Sequence, residues 1–284
     1  MERERDEKNI VKLLLEERIN FQNMLKSFRN LERLQSNPLN NLYKIKQELI
    51  KIEKMLKQSR LDEFIKRDIG QYVEDVKSNI PMWEESVKRN FGQRLENELR
   101  KIGFELRGHY PLLKASFYTL EVDLENFRVL IWYGPQQEKL EVCKLIPEEI
   151  VKKLKIIHDK ITQRHFNDNE FLSKIYEAYK VSIYRQNKKP GDQIPISDIL
   201  FEYTFLIQDK KFRINPIKDN YKEYGRVFFS YDLYRLKERK LENKELSLIT
   251  ATRAYTRQKS DFLWIPFNEK GNGNYISHIK FKEV

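Results

Sequence analysis

The chain has 284 residues, 40% of them apolar and 34% charged, which is enough length and apolar content for one large core or two modest ones and excludes disorder as the default. Lys and Arg exceed Asp and Glu by 11 and the pI is near 9.4, a balance that favours polyanionic partners such as nucleic acid or an anionic membrane face. A single cysteine, Cys143, excludes an internal disulfide framework and a cysteine-built zinc site.

No run approaches the roughly 18 apolar residues of a membrane span, and the opening MERERDEKN has no apolar stretch after its charges, so a soluble cytoplasmic chain without membrane partners is expected. The charge is unevenly spread. Residues 1–103 carry 22 basic and 18 acidic side chains, 104–184 carry 12 and 12, and 185–284 carry 20 and 13.

The first hundred residues contain only Pro38, Pro81, Gly70 and Gly92 as breakers, a helical composition. A loose apolar seam runs through Ile10, Leu14, Phe21, Met24, Phe28 and Leu31. In LYKIKQELIKIEKML, Leu42, Ile45, Leu49, Ile52 and Leu56 follow the three-then-four spacing of a supercoiled seam. Trp83, Val87, Phe91, Leu95 and Leu99 form a stripe at intervals of four. Pro38 and Pro81 each follow a polar break and open a new helix, so three helical segments are expected, with the path through Ser59 open. Short breaks favour antiparallel neighbours. Two readings stand: a self-contained antiparallel bundle, or a coiled-coil arm completed by another chain.

The pattern changes at Gly103. Alternating apolar and polar residues with β-branched and aromatic side chains predict a meander with strands near 114–123, 127–133 and 138–144. Pro147 and two glutamates open a helix, and a second is expected over 169–181. YRQNKKPGDQIP, residues 184–195, is non-periodic and reads as a sub-boundary or a loop. FEYTFLIQDKKFRINPI reads as a hairpin turning at 208–211, and RVFFSYDLYRL as a strand. The last hairpin turns at Gly-Asn-Gly-Asn, with Pro266 on an edge or a break. The fold class expected is α+β: a helical bundle or coiled-coil arm over 1–103, then a mixed domain over 104–284 with an antiparallel meander and hairpins.

Catalytic signatures are sparse. No phosphate-binding glycine loop, dinucleotide fingerprint, serine elbow or His-Glu-x-x-His helix occurs. His158-Asp159 resembles the dipeptide of HD-type metal phosphohydrolases, but His109 lies in RGHYP, a turn leading into strands, where that family builds its site on helices. Asp232 with Glu242 and Lys244 has the order of a restriction-type, Mg²⁺-dependent nuclease. An acid two residues before a lysine recurs elsewhere in this chain, at Asp75-Val76-Lys77 for example, so the motif is weak.

TATRAYTRQKS, residues 250–260, sets Arg253, Tyr255, Arg257 and Lys259 at every second position, and as a strand it would present all four on one face. Such a face suits phosphate contact, with the tyrosine stacking on a sugar or base. Arg235, Lys237, Arg239 and Lys240 add charge nearby. The expected function is a non-catalytic subunit that assembles with other proteins through 1–103 and holds DNA or RNA with its basic C-terminal third, without a cofactor. Two alternatives remain: the nuclease, and an adaptor whose basic face meets an acidic protein.

Overall fold

The computed structural model describes residues 2–283; the side chains of residues 2–10 and Asn40, and with them the seam position expected at Ile10, lie outside the description. The chain is an α+β protein in two compact units, residues 1–94 with 123–127, and 95–122 with 128–284.

The smaller unit is helical: α1 (Glu2–Gln35), α2 (Pro38–Gln58), α3 (Glu63–Ser78) and the first part of α4 (Ile80–Lys101). The segment expected to start at Pro38 divides, because after Gln58 the chain breaks and Asp62 caps α3 by accepting from the Phe64 amide at 2.8 Å. Four helices thus replace three. Asn41 donates to the Leu34 carbonyl at 3.3 Å and Arg60 lies 3.8 Å from Glu17, so α1 and α2 run antiparallel. Their seams meet as the spacing requires: Leu31, Leu34, Ile45, Leu49 and Ile52 share a core with Val73 and Val76 of α3. By that register the end of α2 reaches only the level of residues near 19. The N-terminal part of α1 therefore overhangs, and Val11, Leu14 and Leu15 there are half or more exposed; Phe21, an expected seam position, lies level with α2 yet is half exposed as well.

The larger unit contains two antiparallel sheets. The meander is β1 (Leu106–His109), β2 (Leu112–Ala115), β3 (Tyr118–Asp123), β4 (Arg128–Tyr133) and β5 (Glu138–Lys144), hydrogen-bonded in chain order. Its inner face buries Leu113, Leu120, Val129, Ile131 and Cys143. Cys143 behaves as a small hydrophobe, and burial pushes its thiol pKa up to about 11. Two helices follow, α5 (Pro147–Thr162) and α6 (Asp168–Arg185).

Residues 184–195 lie inside this unit. Tyr179 Oη donates to the Asp192 carbonyl at 2.8 Å and accepts from the Gly191 amide at 3.0 Å, which ties the loop down. It ends in β6 (Ile194–Pro195), which pairs with the C-terminal strand β10 (Gly273–Glu283).

Three strand expectations are corrected: the single strand expected near 114–123 is broken by a turn at Ser116, φ 50, into β2 and β3, and two further segments are helical. Residues 196–214 form α7 (Ile196–Leu206) and α8 (Lys210–Ile214), not a hairpin. Ile196, Ile199 and Tyr203 bury one side at helical spacing while Phe201 and Phe205 stay exposed, so aromatics on both sides of the helix imitate a strand. RVFFSYDLYRL is likewise α9 (Arg226–Arg235). Its buried side is Phe229, Asp232, Leu233 and, just beyond, Leu236; a buried acid within that stripe hides the helical period.

The second sheet runs β6, β10, β8 (Lys244–Thr250), β7 (Lys240–Leu241), with β9 (Leu263–Pro266) also on β10. Ile276 of β10 is partnered by Thr250 of β8 and by Leu263 of β9. A residue has only two edges, so β8 and β9 flank β10 on opposite sides. Pro266 accordingly ends an edge strand, as its missing donor demands.

Candidate nucleic-acid interface and an aromatic cleft

The flanking of β10 explains residues 251–262. Both β8 and β9 are antiparallel to β10 and hence parallel to each other, so their connection must cross a sheet face. The segment that makes the crossing forms no strand, and the one-face expectation for 250–260 is overturned. Ladder pairing stops after the Ala251 amide reaches the Tyr275 carbonyl at 2.7 Å. Two single 3₁₀ turns follow, Arg253–Thr256 and Lys259–Asp261. Tyr255 stands edge-on to the His278 ring, centroids 5.0 Å apart, and keeps 46% of its surface. Arg253 and Arg257 are exposed and meet no carboxylate among the described residues. Lys259 is different. Its Nζ lies 2.7 Å from Glu138, which also takes Arg226 at 2.5 Å.

Of the second basic group, Lys237 and Lys240 are exposed and Arg239 is half-buried. Arg235 is not available. It belongs to a clamp around Asp232, whose side chain is 3% exposed. Arg164 Nη2 donates to Asp232 Oδ1 at 2.6 Å, and Tyr224 Oη donates to Oδ2 at 2.6 Å. Arg235 Nη2 lies 2.7 Å from Oδ1, a charge contact outside hydrogen-bond alignment. The two guanidiniums rest on rings, Arg164 on Phe228 at 4.2 Å and Arg235 on Phe166 at 4.0 Å. Arg235 also donates to the Arg164 carbonyl at 3.0 Å, so α9 is locked to the α5–α6 connection.

The nuclease set is not brought together by any described contact. Asp232 has its oxygens occupied, Glu242 is exposed in the β7–β8 turn with φ 54, and Lys244 reaches Glu283 at 3.2 Å. No group of three or more His, Cys, Asp or Glu side chains suited to a metal occurs among the described residues.

A cleft of about 410 Å³ in the larger unit escaped sequence reading. Phe117 sits at its base, 4% exposed, with Tyr231 and Tyr234 of α9 at 5.7 and 5.4 Å between centroids. His158 of α5 stacks on Phe117 at 6.4 Å and lies T-shaped to Phe104 at 4.9 Å between centroids. Lys114, Arg107, Lys270, Glu105 and Glu269 complete the rim, with Arg107 ion-paired to Glu105. These residues come from five stretches of chain, each with its own local pattern, so no spacing signals the site.

His158 Nδ1 lies 3.2 Å from Tyr118 Oη. Burial pushes the phenol pKa up and the imidazole pKa down, the latter against Asp159 and Glu269. A neutral imidazole carries one donor and one acceptor nitrogen, so this contact is a hydrogen bond in either tautomer. The lowered value has a stability consequence. Between the folded pKa and the unfolded value near 6.5, the unfolded chain binds the extra proton, so stability is lost as pH falls below that value. His278 is lowered by burial too. We expect the urea midpoint to fall between pH 7.5 and 5.5, above the range where most carboxylates titrate, and His158→Gln to reduce that fall. An identical fall in the variant would remove His158 as a contributor.

The fold is thus an α+β protein with a helical unit and a two-sheet unit, bearing an exposed arginine segment and an aromatic cleft. Comparison with protein-family models, curated proteins and solved structures finds no match to the chain. Among the described residues no helix is long and apolar enough to cross a membrane.

Proposed function

We propose that the chain binds nucleic acid through its larger unit, and serves as a non-catalytic subunit that meets other protein chains through its helical unit. The observation that carries the first half is the crossover segment. Arg253 and Arg257 project with no carboxylate partner among the described residues, and a half-exposed tyrosine lies between them. An exposed, unneutralised arginine pair is suited to forked hydrogen bonds with phosphate oxygens. Lys237 and Lys240 extend the basic character of residues 185–284. The second half rests on the α1 overhang, where the exposed Val11, Leu14 and Leu15 lie beyond the reach of α2.

Binding of a labelled strand across a salt series tests the reading. The affinity should fall linearly with salt on logarithmic axes, and the double variant Arg253→Ala, Arg257→Ala should flatten that slope by about 1.5 to 2 units, near one per lost phosphate contact. Lys259→Ala, which removes a lysine already paired with Glu138, should change it less. An unchanged slope in the double variant would dismiss this segment. Binding to an acidic protein in place of any strand would make the chain an adaptor. Cleavage of the strand with Mg²⁺, lost on Glu242→Ala, would make it a nuclease.

A further inference from the structure

We propose that the aromatic cleft of the larger unit holds one unstacked nucleotide, its base against Tyr231, Tyr234 and Phe117 and its phosphate at Lys114 and Lys270; this rests on the nucleic-acid reading and specifies it as binding of unpaired bases. Large rings ordinarily finish inside a core, yet here Tyr231 and Tyr234, neighbours on α9 with centroids 5.8 Å apart, remain half-buried and line an open cavity. Its 410 Å³ falls within the roughly 300–1,000 Å³ of small-molecule sites.

The chemistry of the lining selects the ligand. Aromatic faces suit a planar ring, and every base has one. His158 also lines the cleft, and an imidazole can hydrogen-bond a ring nitrogen or carbonyl, which a plain hydrocarbon does not offer. Lys114 and Lys270 are exposed on the rim and make no ion pair among the described residues. Planar heterocycle and adjoining anion together describe a nucleotide, free or within a strand.

The walls are set before any ligand arrives. Tyr231 and Tyr234 ride on α9, which the Asp232 clamp fixes to Arg164. Lys270 precedes Gly271, whose backbone approaches the Ser116 carbonyl so closely that an added Cβ would lie 2.0 Å from it. A preformed site loses little freedom on binding.

The test uses the full chain and three probes: a 15-residue oligothymidine strand, an abasic strand of equal length, and adenosine monophosphate. The base-bearing strand should bind about tenfold tighter than the abasic one at equal salt, the stacking of one base. Tyr234→Ala should erase that difference, and Tyr234→Phe should keep it. Equal affinities for the two strands in the unaltered protein, with salt dependence intact, would overturn the cleft assignment while leaving nucleic-acid binding standing. If neither strand binds but the mononucleotide does, and Tyr234→Ala abolishes it, the cleft is confirmed with a free nucleotide as ligand and the nucleic-acid reading falls. Silence with all three probes would end both.

Discussion

Asp232→Ala should cost about 3–5 kcal/mol of folding stability, read as a lower urea midpoint, because it strands two arginines that the fold has already desolvated. The carboxylate is buried and accepts from Arg164 and Tyr224, with Arg235 2.7 Å away. Removing it leaves positive charge and a phenol hydroxyl without their acceptor. Asp232→Asn keeps the shape and the Tyr224 bond but not the charge, so its loss should be smaller. A double-mutant cycle with Arg164→Ala would show strong coupling between the two positions. A cost below about 1 kcal/mol for Asp232→Ala, typical of a surface pair, would mean the clamp is not what holds α9. The same result bears on function. Loss of any activity in Asp232→Ala would report unfolding, so Glu242 is the informative position for testing cleavage.

Gly271→Ala should destabilise by roughly 2–5 kcal/mol, combining about 1–2 for a left-handed backbone with about 1–3 for overlap in a packed region. Gly271 has φ +76, and its new Cβ would meet the Ser116 carbonyl oxygen at 2.0 Å, a backbone atom that cannot rotate aside. Gly191 provides the contrast. It too has positive φ, +95, but nothing lies within 4 Å of its Cβ position, so Gly191→Ala should show only the backbone part. Equal losses at the two glycines, measured by thermal or urea unfolding, would contradict the close approach between the β9–β10 hairpin and the β2–β3 turn. If the approach is real, Gly271→Ala should also loosen Lys270 and weaken base-dependent binding.

Periodic segments were legible from residue order alone. The seam of α2 and the later part of that of α1, the stripe of α4, the meander apart from the turn that splits 114–123, the helix opened by Pro147 and the final hairpin each repeat a pattern that reports its own hydrogen bonding and one buried face. Where a helix buries a polar group or carries rings on both sides, that signal fails. Asp232 within α9 and Phe201 with Phe205 on α7 are the instances here, and both segments imitate strands.

The composition and pattern of the chain by themselves determined an α+β fold with a helical N-terminal region and an excess of cations near the C-terminus. Only the tertiary structure decided which of those cations remain unpaired, and that residues 251–262 cross a sheet face instead of extending it. The physical reason is range. A charge is neutralised by whichever acid the fold brings to it, and Arg164 finds Asp232 68 positions away while Arg226 finds Glu138 across 88. The route of the crossover likewise depends on β8 and β9 taking opposite edges of β10, a pairing no local stretch encodes. The aromatic cleft, gathered from five separate segments, exists only once those long-range contacts have formed.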